Sequence, residues 1–173
     1  DRCSIAVVGS RKYSSYGKFA AEKLSSELCS MGFTIVSGMA RGIDTISHSS
    51  AIRSGGRTIA VLGSGIDVPY PPENKMLMEK ISNSGCVISE FPPGAPPDKE
   101  NFPKRNRLIS GISLGVLVVE ATADSGSLIT AGCALEQGKD VFSVPGNINS
   151  FNSTGTNDLI KKGAKLVQSA KDI

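Results

Sequence analysis

Apolar and polar positions follow two different spacings along this chain. Short apolar runs typical of buried strands occur at Ser4–Val8 and in the segments FTIVSG, GRTIAVLGSG, GCVISE, LGVLVVEA and KDVFSVPG. Between them, apolar residues recur every three or four positions, as on one face of a helix. In the first such segment, Ser14–Met31, they are Phe19, Ala20, Leu24, Leu28 and Met31. The pattern predicts strands and helices in alternation.

The same spacing predicts the later helices. They are Ile43–Arg53, Glu73–Ser82, Lys104–Ile112, Ser127–Gln137 and Asn157–Lys162, and the proline-rich segment FPPGAPPDKENFP is predicted as a loop. Alternating strands and helices favour a mostly parallel sheet with helices on both faces. We therefore predict an α/β fold in a single domain of residues 1–173.

Composition limits the functional classes only loosely. The chain has 173 residues and a net charge of +3, which permits an anionic partner without requiring one. No apolar run approaches the roughly 20 residues that span a bilayer, so no membrane association is expected. The four cysteines are scattered without a C-x-x-C pair, which favours reduced thiols in a cytoplasmic protein. We expect no metal and no cofactor.

The turns that follow the predicted strands are the first places to look for a site. Ligands of open parallel sheets bind at the carboxyl ends of the strands, where the strand order reverses. Here those turns carry Gly9, Ser10 and Arg11, then Arg41, and then the serines of ADSGSL. Backbone N–H groups at helix starts favour anions, and arginine offers a planar donor set for phosphate. Two alternatives stay open: Arg11 pairs with a carboxylate or solvent, and the serines cap a helix.

The segment NFPKRNRLISG carries the strongest signal. Lys104, Arg105 and Arg107 lie at the start of a predicted helix, where the helix dipole disfavours cations. An anion bound between them would remove the conflict, although three solvated side chains remain the alternative. Phe102, just before them, either stacks a base or packs against the helix.

Other polar residues have simpler interpretations. Asp44 is expected to stabilise the start of its helix, and His48, one turn further, is expected to be structural and within reach of Asp44. No G-x-S-x-G, H-E-x-x-H or G-x-x-x-x-G-K-[ST] motif occurs. An acid–base role for Glu90, Glu120 or Glu136 stays open, because all three fall in or near the predicted loops.

Taken in order, the motifs resemble one family. VGSR, SGMARGID, AVLGSGIDVPYPPEN, SEFPPG, FPKRNRLISG, VVEATADSGSLITAGCALEQGKDVFSVPG and STGTNDLIKKGA are similar to the DNA processing protein A family, DprA, also called Smf. The similarity runs from about Ser4 to about Val167. It implies an extended Rossmann-like domain that binds single-stranded DNA without sequence preference, protects incoming DNA and helps load the RecA recombinase in natural transformation. It also implies a cytoplasmic homodimer without established catalysis.

The resemblance also implies a set of DNA-phosphate contacts. They are Gly9, Ser10, Arg11, Arg41, Lys104, Arg105, Asn106, Arg107, Ser125, Gly126 and Ser127. Family members often carry an N-terminal helical domain and a C-terminal winged-helix-like domain. Neither is present in this sequence, so we expect a fragment of a longer protein.

Two other functions remain as hypotheses. The fold also resembles that of the LOG-type nucleoside 5′-monophosphate phosphoribohydrolases, but their P-G-G-x-G-T loop is missing and DSGSLIT stands in its place. In such an enzyme Glu120 or Glu136 would have to act. The other hypothesis is a sensor whose pocket holds one nucleotide.

Overall fold

Seven parallel strands form the centre of the structure, a computed structural model that describes residues 3–173. The strands are β1 (Ser4–Val8), β2 (Thr34–Ser37), β3 (Thr58–Leu62), β4 (Cys86–Ser89), β5 (Gly115–Val118), β6 (Asp140–Ser143) and β7 (Lys165–Leu166). They pair in the order β4-β3-β2-β1-β5-β6-β7, and every pairing is parallel. The predicted Rossmann-like α/β fold is confirmed.

Six helices connect the strands in the described part of the chain. They are α1 (Ser15–Ser30), α2 (Ile43–Arg53), α3 (Lys75–Ser84), α4 (Asn101–Gly111), α5 (Ser127–Glu136) and α6 (Thr154–Lys161). Short 3-10 turns lie at Pro72–Asn74, Phe151–Ser153 and Ala170–Asp172. Over residues 3–173, none of the helices has both the length and the apolar character needed to cross a membrane.

The core lies on both faces of the sheet. In β1, Ile5 and Val7 pack with α1 and α2 on one face, while Ala6 and Val8 pack with residues of α4 and α5 on the other. Because successive side chains of a strand point to opposite faces, a central strand covered on both sides must be apolar throughout. That requirement explains why the strand pattern was readable from sequence.

The helix α4 begins earlier than the sequence predicted. It starts at Asn101 rather than Lys104, so Phe102 and Pro103 lie in its first turn and not in the preceding loop. Proline is tolerated there because the first-turn N–H groups have no partner within the helix. The basic residues therefore begin one turn in, and the predicted conflict with the helix dipole is weaker than expected.

The strand β7 was missed. It has two residues, both exposed, at the edge of the sheet. A two-residue exposed strand leaves no alternation of apolar and polar positions, so the sequence carries no signal for it.

Strand order reverses between β1 and β5. Chain connections run from β1 outward to β4 on one side, and from β5 outward to β7 on the other. The backbone of Ser10 donates to the carbonyl oxygen of Glu120 at 2.6 Å, which ties the ends of these two strands together. The loops beyond that point diverge and leave a crevice.

Candidate functional site

A cleft of about 920 Å³ occupies this crevice. Its lining comes mainly from four chain segments: Val8–Lys12 after β1, the region from Pro97 to Ile109, the region from Thr122 to Thr130, and the pair Phe151–Asn152. Ala40, Asp44 and Tyr70 complete the lining. Its volume lies near the upper end of the 300–1,000 Å³ typical of ligand sites. The cleft lies at the strand-order reversal, which is where open parallel sheets usually bind their ligands.

Most of the predicted phosphate contacts line this cleft. They are Gly9, Ser10, Arg11, Arg105, Asn106, Ser125, Gly126 and Ser127. These residues come from three separate segments of the chain. Their convergence follows from the parallel register, since β1 and β5 are direct neighbours and end at the same edge of the sheet.

Three predicted contacts lie outside the cleft lining. Arg41 makes a two-pronged ion pair with Glu73, and Arg107 pairs with Glu90. Lys104 lies 3.8 Å from Glu100. All three basic side chains are exposed, so these pairs add little to stability.

Arg11 projects from the turn after β1 and has an aromatic neighbour. Its guanidinium lies 5.6 Å from the centre of the Phe102 ring, within cation–π distance. Among the residues that the structure describes, no carboxylate lies within ion-pair distance of it. The turn itself is fixed from below, because the backbone of Ile43 donates to the Ser10 carbonyl oxygen at 3.1 Å.

The hydroxyl of Ser10 is used within its own turn. It accepts from the backbone N–H of Lys12 at 3.0 Å and donates to the Lys12 carbonyl oxygen at 2.8 Å. The side chain therefore shapes the turn that presents Arg11. Any contact of Ser10 with a ligand has to compete with these two bonds.

Arg105 is buried, so the alternative of three solvated basic side chains does not hold for it. Only 3% of it is exposed, and its Nη1 donates to the carbonyl oxygens of Gly38, at 2.8 Å, and Val61. Burial lowers the pKa of its guanidinium to about 10, the carboxylate of Asp44 opposes that shift, and the charge of Arg11 adds to it. At neutral pH it remains a cation beneath the cleft.

Asp44 has a larger role than the expected helix-start stabilisation. It is buried, and its Oδ2 accepts from the backbone N–H groups of Gly38 at 3.1 Å and Ala40 at 3.2 Å. Burial raises the pKa of this carboxyl, while the charge of Arg105 opposes the rise. The side chain thus fixes the loop after β2 as well as the start of α2.

The loop after β2 contains a residue in a strained conformation. Met39 has φ +62°, in the left-handed region that non-glycine residues rarely adopt. Its carbonyl oxygen accepts from Nδ2 of Asn74 at 3.0 Å, and the same nitrogen donates to Oγ1 of Thr45 at 2.8 Å. No sequence pattern indicates this arrangement, because it depends on Asn74, which lies in a turn distant along the chain.

His48 is structural, as expected, but with a different partner. It is fully buried, and its Nδ1 lies 2.7 Å from Oγ1 of Thr58 rather than beside Asp44. Because the Thr58 hydroxyl donates to the Ile35 carbonyl oxygen, the histidine must be the donor in the first bond. Burial lowers the pKa of His48 to about 3, so the ring is neutral at physiological pH.

The start of α5 opens into the cleft. Its cap residue is Gly126, and the backbone N–H groups of Leu128 and Ile129 donate to the carbonyl oxygens of Ser125 and Gly126, at 3.0 and 3.2 Å. The N–H of Ser127 lies 3.4 Å from Oγ of Ser125. The hydroxyls of Ser125 and Ser127 lie 2.7 Å from each other, and both residues line the cleft. A helix N-terminus with neighbouring hydroxyls favours an anion.

The cleft lining beyond the predicted contacts includes two lysines and an aromatic ring. Lys12 and Lys99 are exposed cations, and Phe102, left open between stacking and packing, also faces the cleft. The Phe102 ring centre lies 5.5 Å from that of Tyr70, while Gly63 leaves room for the ring edge. Lys99 lies in a proline-rich loop, and no spacing rule connects such a residue to a site.

The carboxylates considered for acid–base chemistry lie elsewhere. Glu120 is buried and accepts from the backbone N–H and the hydroxyl of Ser14, at 2.8 and 2.6 Å, at the start of α1. Glu136 is exposed at the far end of α5, and Glu90 pairs with Arg107. All three lie outside the cleft lining.

Comparison with known sequences identifies the family. The family described as DNA recombination-mediator protein A matches residues 1–173. The chain belongs to the DNA recombination-mediator protein A family. It is 50% identical over 169 residues to DNA processing protein DprA of Streptococcus pneumoniae, covering 98% of this chain and 60% of that protein.

Further relatives agree with this family assignment. Identity is 47% to DNA processing protein DprA of Bacillus subtilis and 48% to Protein Smf of Escherichia coli, over 98% of this chain in each case. The matches cover 57% and 46% of those two proteins. The chain therefore spans about half to three fifths of the length of these relatives.

Solved structures of the DNA recombination-mediator protein A family share the fold. DprA from Streptococcus pneumoniae superposes with a TM-score of 0.92 at 48% identity, over 98% of this chain and 60% of that one. DNA processing protein A from Helicobacter pylori, described for its single-stranded DNA binding mode, gives 0.90 at 32% identity, over 99% and 78%. A molybdenum cofactor binding protein from Rippkaea orientalis gives 0.71 at 15% identity, over 99% and 93%, and shows only a shared fold.

Proposed function

We propose that this chain binds the sugar–phosphate backbone of single-stranded DNA in the cleft between β1 and β5. The observation that carries the proposal is Arg11, an exposed cation without a carboxylate partner in the described chain, which shares one cleft with the N-terminus of α5. Guanidinium groups and helix-start amides are both suited to phosphate oxygens.

Further cations extend this surface along the cleft. Lys12 follows Arg11 in the chain, and Lys99 lines the cleft from the loop before α4. Arg105 adds a buried positive charge under the floor. Contacts of this kind read phosphates rather than base edges, so the proposed binding has no sequence preference.

An aromatic ring in the same cleft favours a single strand over a duplex. Phe102 lines the cleft and is half-buried, held between Tyr70 on one side and the Gly63 backbone on another. Unpaired bases stack on such rings, whereas the bases of a duplex are already stacked on each other.

The family assignment supports the proposal of a wider role. The Helicobacter pylori relative is described as binding single-stranded DNA. We extend that property to this chain. We propose in addition that it protects incoming DNA, helps load the RecA recombinase in natural transformation, and acts as a cytoplasmic homodimer. Protection of DNA, RecA loading and dimer formation are proposed from the family alone. The chain covers about half to three fifths of the length of its relatives.

The proposal is of a binding protein rather than a phosphoribohydrolase. A glycosidase-type reaction needs a carboxylate that reaches the substrate, and the acid–base partner must lie within hydrogen-bond distance of it. Glu120 is instead committed to Ser14, and Glu136 is at the opposite end of the helix whose start lines the cleft.

The test is a comparison of ligands at two salt concentrations. Calorimetry of the chain with an oligo-dT of about a dozen bases is expected to show binding whose log affinity falls with log salt at a slope of about −2 to −3, corresponding to three or four phosphates. Blunt duplex of the same length is expected to bind more weakly. Affinity independent of salt, equal binding to duplex, or tight binding of single nucleotides alone would contradict the proposal, and release of free base from AMP would favour the enzyme.

A further inference from the structure

Phe151 is an exposed aromatic residue at the rim of the cleft. It lies in the 3-10 turn Phe151–Ser153 between β6 and α6, and 70% of it is exposed. Together with Asn152 it lines the cleft, on a different segment from the one that carries Phe102. An exposed phenylalanine at this position leaves a large apolar face in contact with water.

The turn that carries this ring is firmly held. The backbone of Ser153 donates to Ser150 at 3.0 Å, and Oγ1 of Thr154 donates to the Phe151 carbonyl oxygen at 2.9 Å. Gly155 continues this anchoring with a 2.9 Å bond to the Ala121 carbonyl oxygen, next to the end of β5. The ring is therefore presented by an ordered backbone, which lowers the entropic cost of a contact made by it.

A basic residue lies on the adjacent turn. Nδ2 of Asn152 lies 3.5 Å from the carbonyl oxygen of Lys12, which places the 3-10 turn against the turn that follows β1. Lys12 is exposed and lines the same cleft. The ring and the basic residue are therefore carried by two turns in contact, and single-strand binding surfaces combine such groups, with the cation for the phosphate and the ring for the base.

We propose that Phe151 is a second stacking platform, which takes a base of the DNA strand outside the segment that contacts Phe102. This inference rests on the proposed function and goes beyond it by extending the bound strand across the rim of the cleft. The occupant is a nucleobase of a single strand, because the ring lines the cleft and its turn is bonded to the turn that carries Lys12.

The same loop provides a matched control. Ile148 is also apolar and 91% exposed, but it does not line the cleft. A protein partner covering this loop would bury both side chains, whereas a strand leaving the cleft would contact only Phe151. The two residues therefore distinguish a nucleic-acid platform from a general apolar docking surface.

The experiment measures affinity for a labelled dT12 by fluorescence anisotropy at several salt concentrations. Phe151→Ala is expected to weaken binding about five-fold or more, the lower limit for loss of one stacked base. Its salt dependence should match that of the wild-type chain, because no phosphate contact is lost. Phe151→Trp and Ile148→Ala should both bind within two-fold of wild type.

A set of dT12 strands with one abasic position each tests stacking directly. Wild type is expected to lose affinity when the base over Phe151 is missing, and Phe151→Ala is expected to be insensitive at that position. If wild type binds dT12 and Arg11→Ala weakens it, but Phe151→Ala behaves as Ile148→Ala does, the platform alone is overturned. If the wild-type chain fails to bind dT12, the proposed function and this inference are both overturned.

Discussion

The guanidinium of Arg105 and the carboxylate of Asp44 meet at Gly38. A Cβ on that glycine would lie 2.8 Å from Nη2 of Arg105 and 2.9 Å from Oδ2 of Asp44. Both side chains are buried beneath the cleft and both bond to the Gly38 backbone, one to its carbonyl oxygen and one to its N–H. The loop after β2 is therefore fixed by two opposite charges that arrive from different helices.

Removing one of these charges is expected to cost more than removing both. Arg105→Met should lower the free energy of unfolding by about 3–5 kcal/mol, since it leaves the Asp44 carboxylate buried without its compensating charge. Adding Asp44→Asn should restore at least about 1 kcal/mol of that loss. Urea unfolding of the single and double variants measures the coupling, and strictly additive losses would show that the two groups act independently.

A side chain at Gly38 is expected to disturb the same loop. Gly38→Ala should destabilise the chain by about 1–3 kcal/mol, because the new methyl group overlaps two buried polar groups that are already hydrogen-bonded. Gly132→Ala in α5 is the control, since the space beside that glycine is open. There alanine should stabilise by about 0.5–1 kcal/mol through its helix propensity. Thermal unfolding that moved both variants in the same direction would contradict this account.

The free energy of unfolding is expected to fall with pH already above the pH range in which carboxylates titrate, because of His48, the one histidine of the sequence. Its pKa falls from 6.5 to about 3 on folding. Between these two pKa values the histidine is protonated in the unfolded chain and neutral in the native chain. Stability is therefore lost as the pH falls, by about 1.4 kcal/mol between pH 7.5 and 5.5. Asp44, whose pKa is raised, acts in the opposite direction and is present in both proteins that are compared.

The measurement is urea unfolding of wild type and His48→Gln at the two pH values. The variant starts from a lower stability, because it disturbs the bond to Thr58, but it should lack the wild-type loss on acidification. An identical loss in the variant would assign the acid sensitivity to other groups.

Arg11 is expected to contribute one phosphate contact. Arg11→Ala should weaken oligo-dT binding and reduce the steepness of the salt dependence by about 0.7. Arg53→Ala is the control, because Arg53 is an exposed arginine of α2 that pairs with Glu22 at 3.1 Å, outside the cleft. An unchanged salt slope in Arg11→Ala would remove the residue from the proposed interface.

Arg41 and Arg107 are expected to matter less than Arg11. Each is held by a glutamate outside the cleft lining, so a phosphate would have to displace that partner. Arg41→Ala and Arg107→Ala should each weaken oligo-dT binding by a smaller factor than Arg11→Ala in the same anisotropy titration. Losses equal to that of Arg11→Ala would contradict the cleft as the main contact surface.

Local patterns alone were sufficient for most elements of the fold. The bounds of β1 and α2 agree with the sequence prediction, because a strand covered on both faces and a helix with one buried face leave clear spacings. The start of α4 was wrong, since proline and its neighbours look the same in a loop and in the first turn of a helix.

Some residues of the candidate site could be predicted from sequence and others could not. Arg11, Ser125 and Ser127 were predicted from sequence and line the cleft, because they follow strands whose ends share one edge of the sheet. The sequence could not separate Arg105 from Arg107, although they are two positions apart. One is buried at 3% exposure and the other pairs with Glu90 at the surface.

The sequence by itself determined the alternation of strands and helices, the sheet type and the turns rich in glycine, serine and arginine, because these depend on residues close together in the chain. Tertiary structure alone decided which charges are neutralised and which stay free. That outcome depends on which carboxylate or carbonyl oxygen the fold places within a few ångströms. Arg105 donates to the carbonyl oxygens of Gly38 and Val61, and Arg41 forms an ion pair with Glu73. Arg11 lines the open cleft.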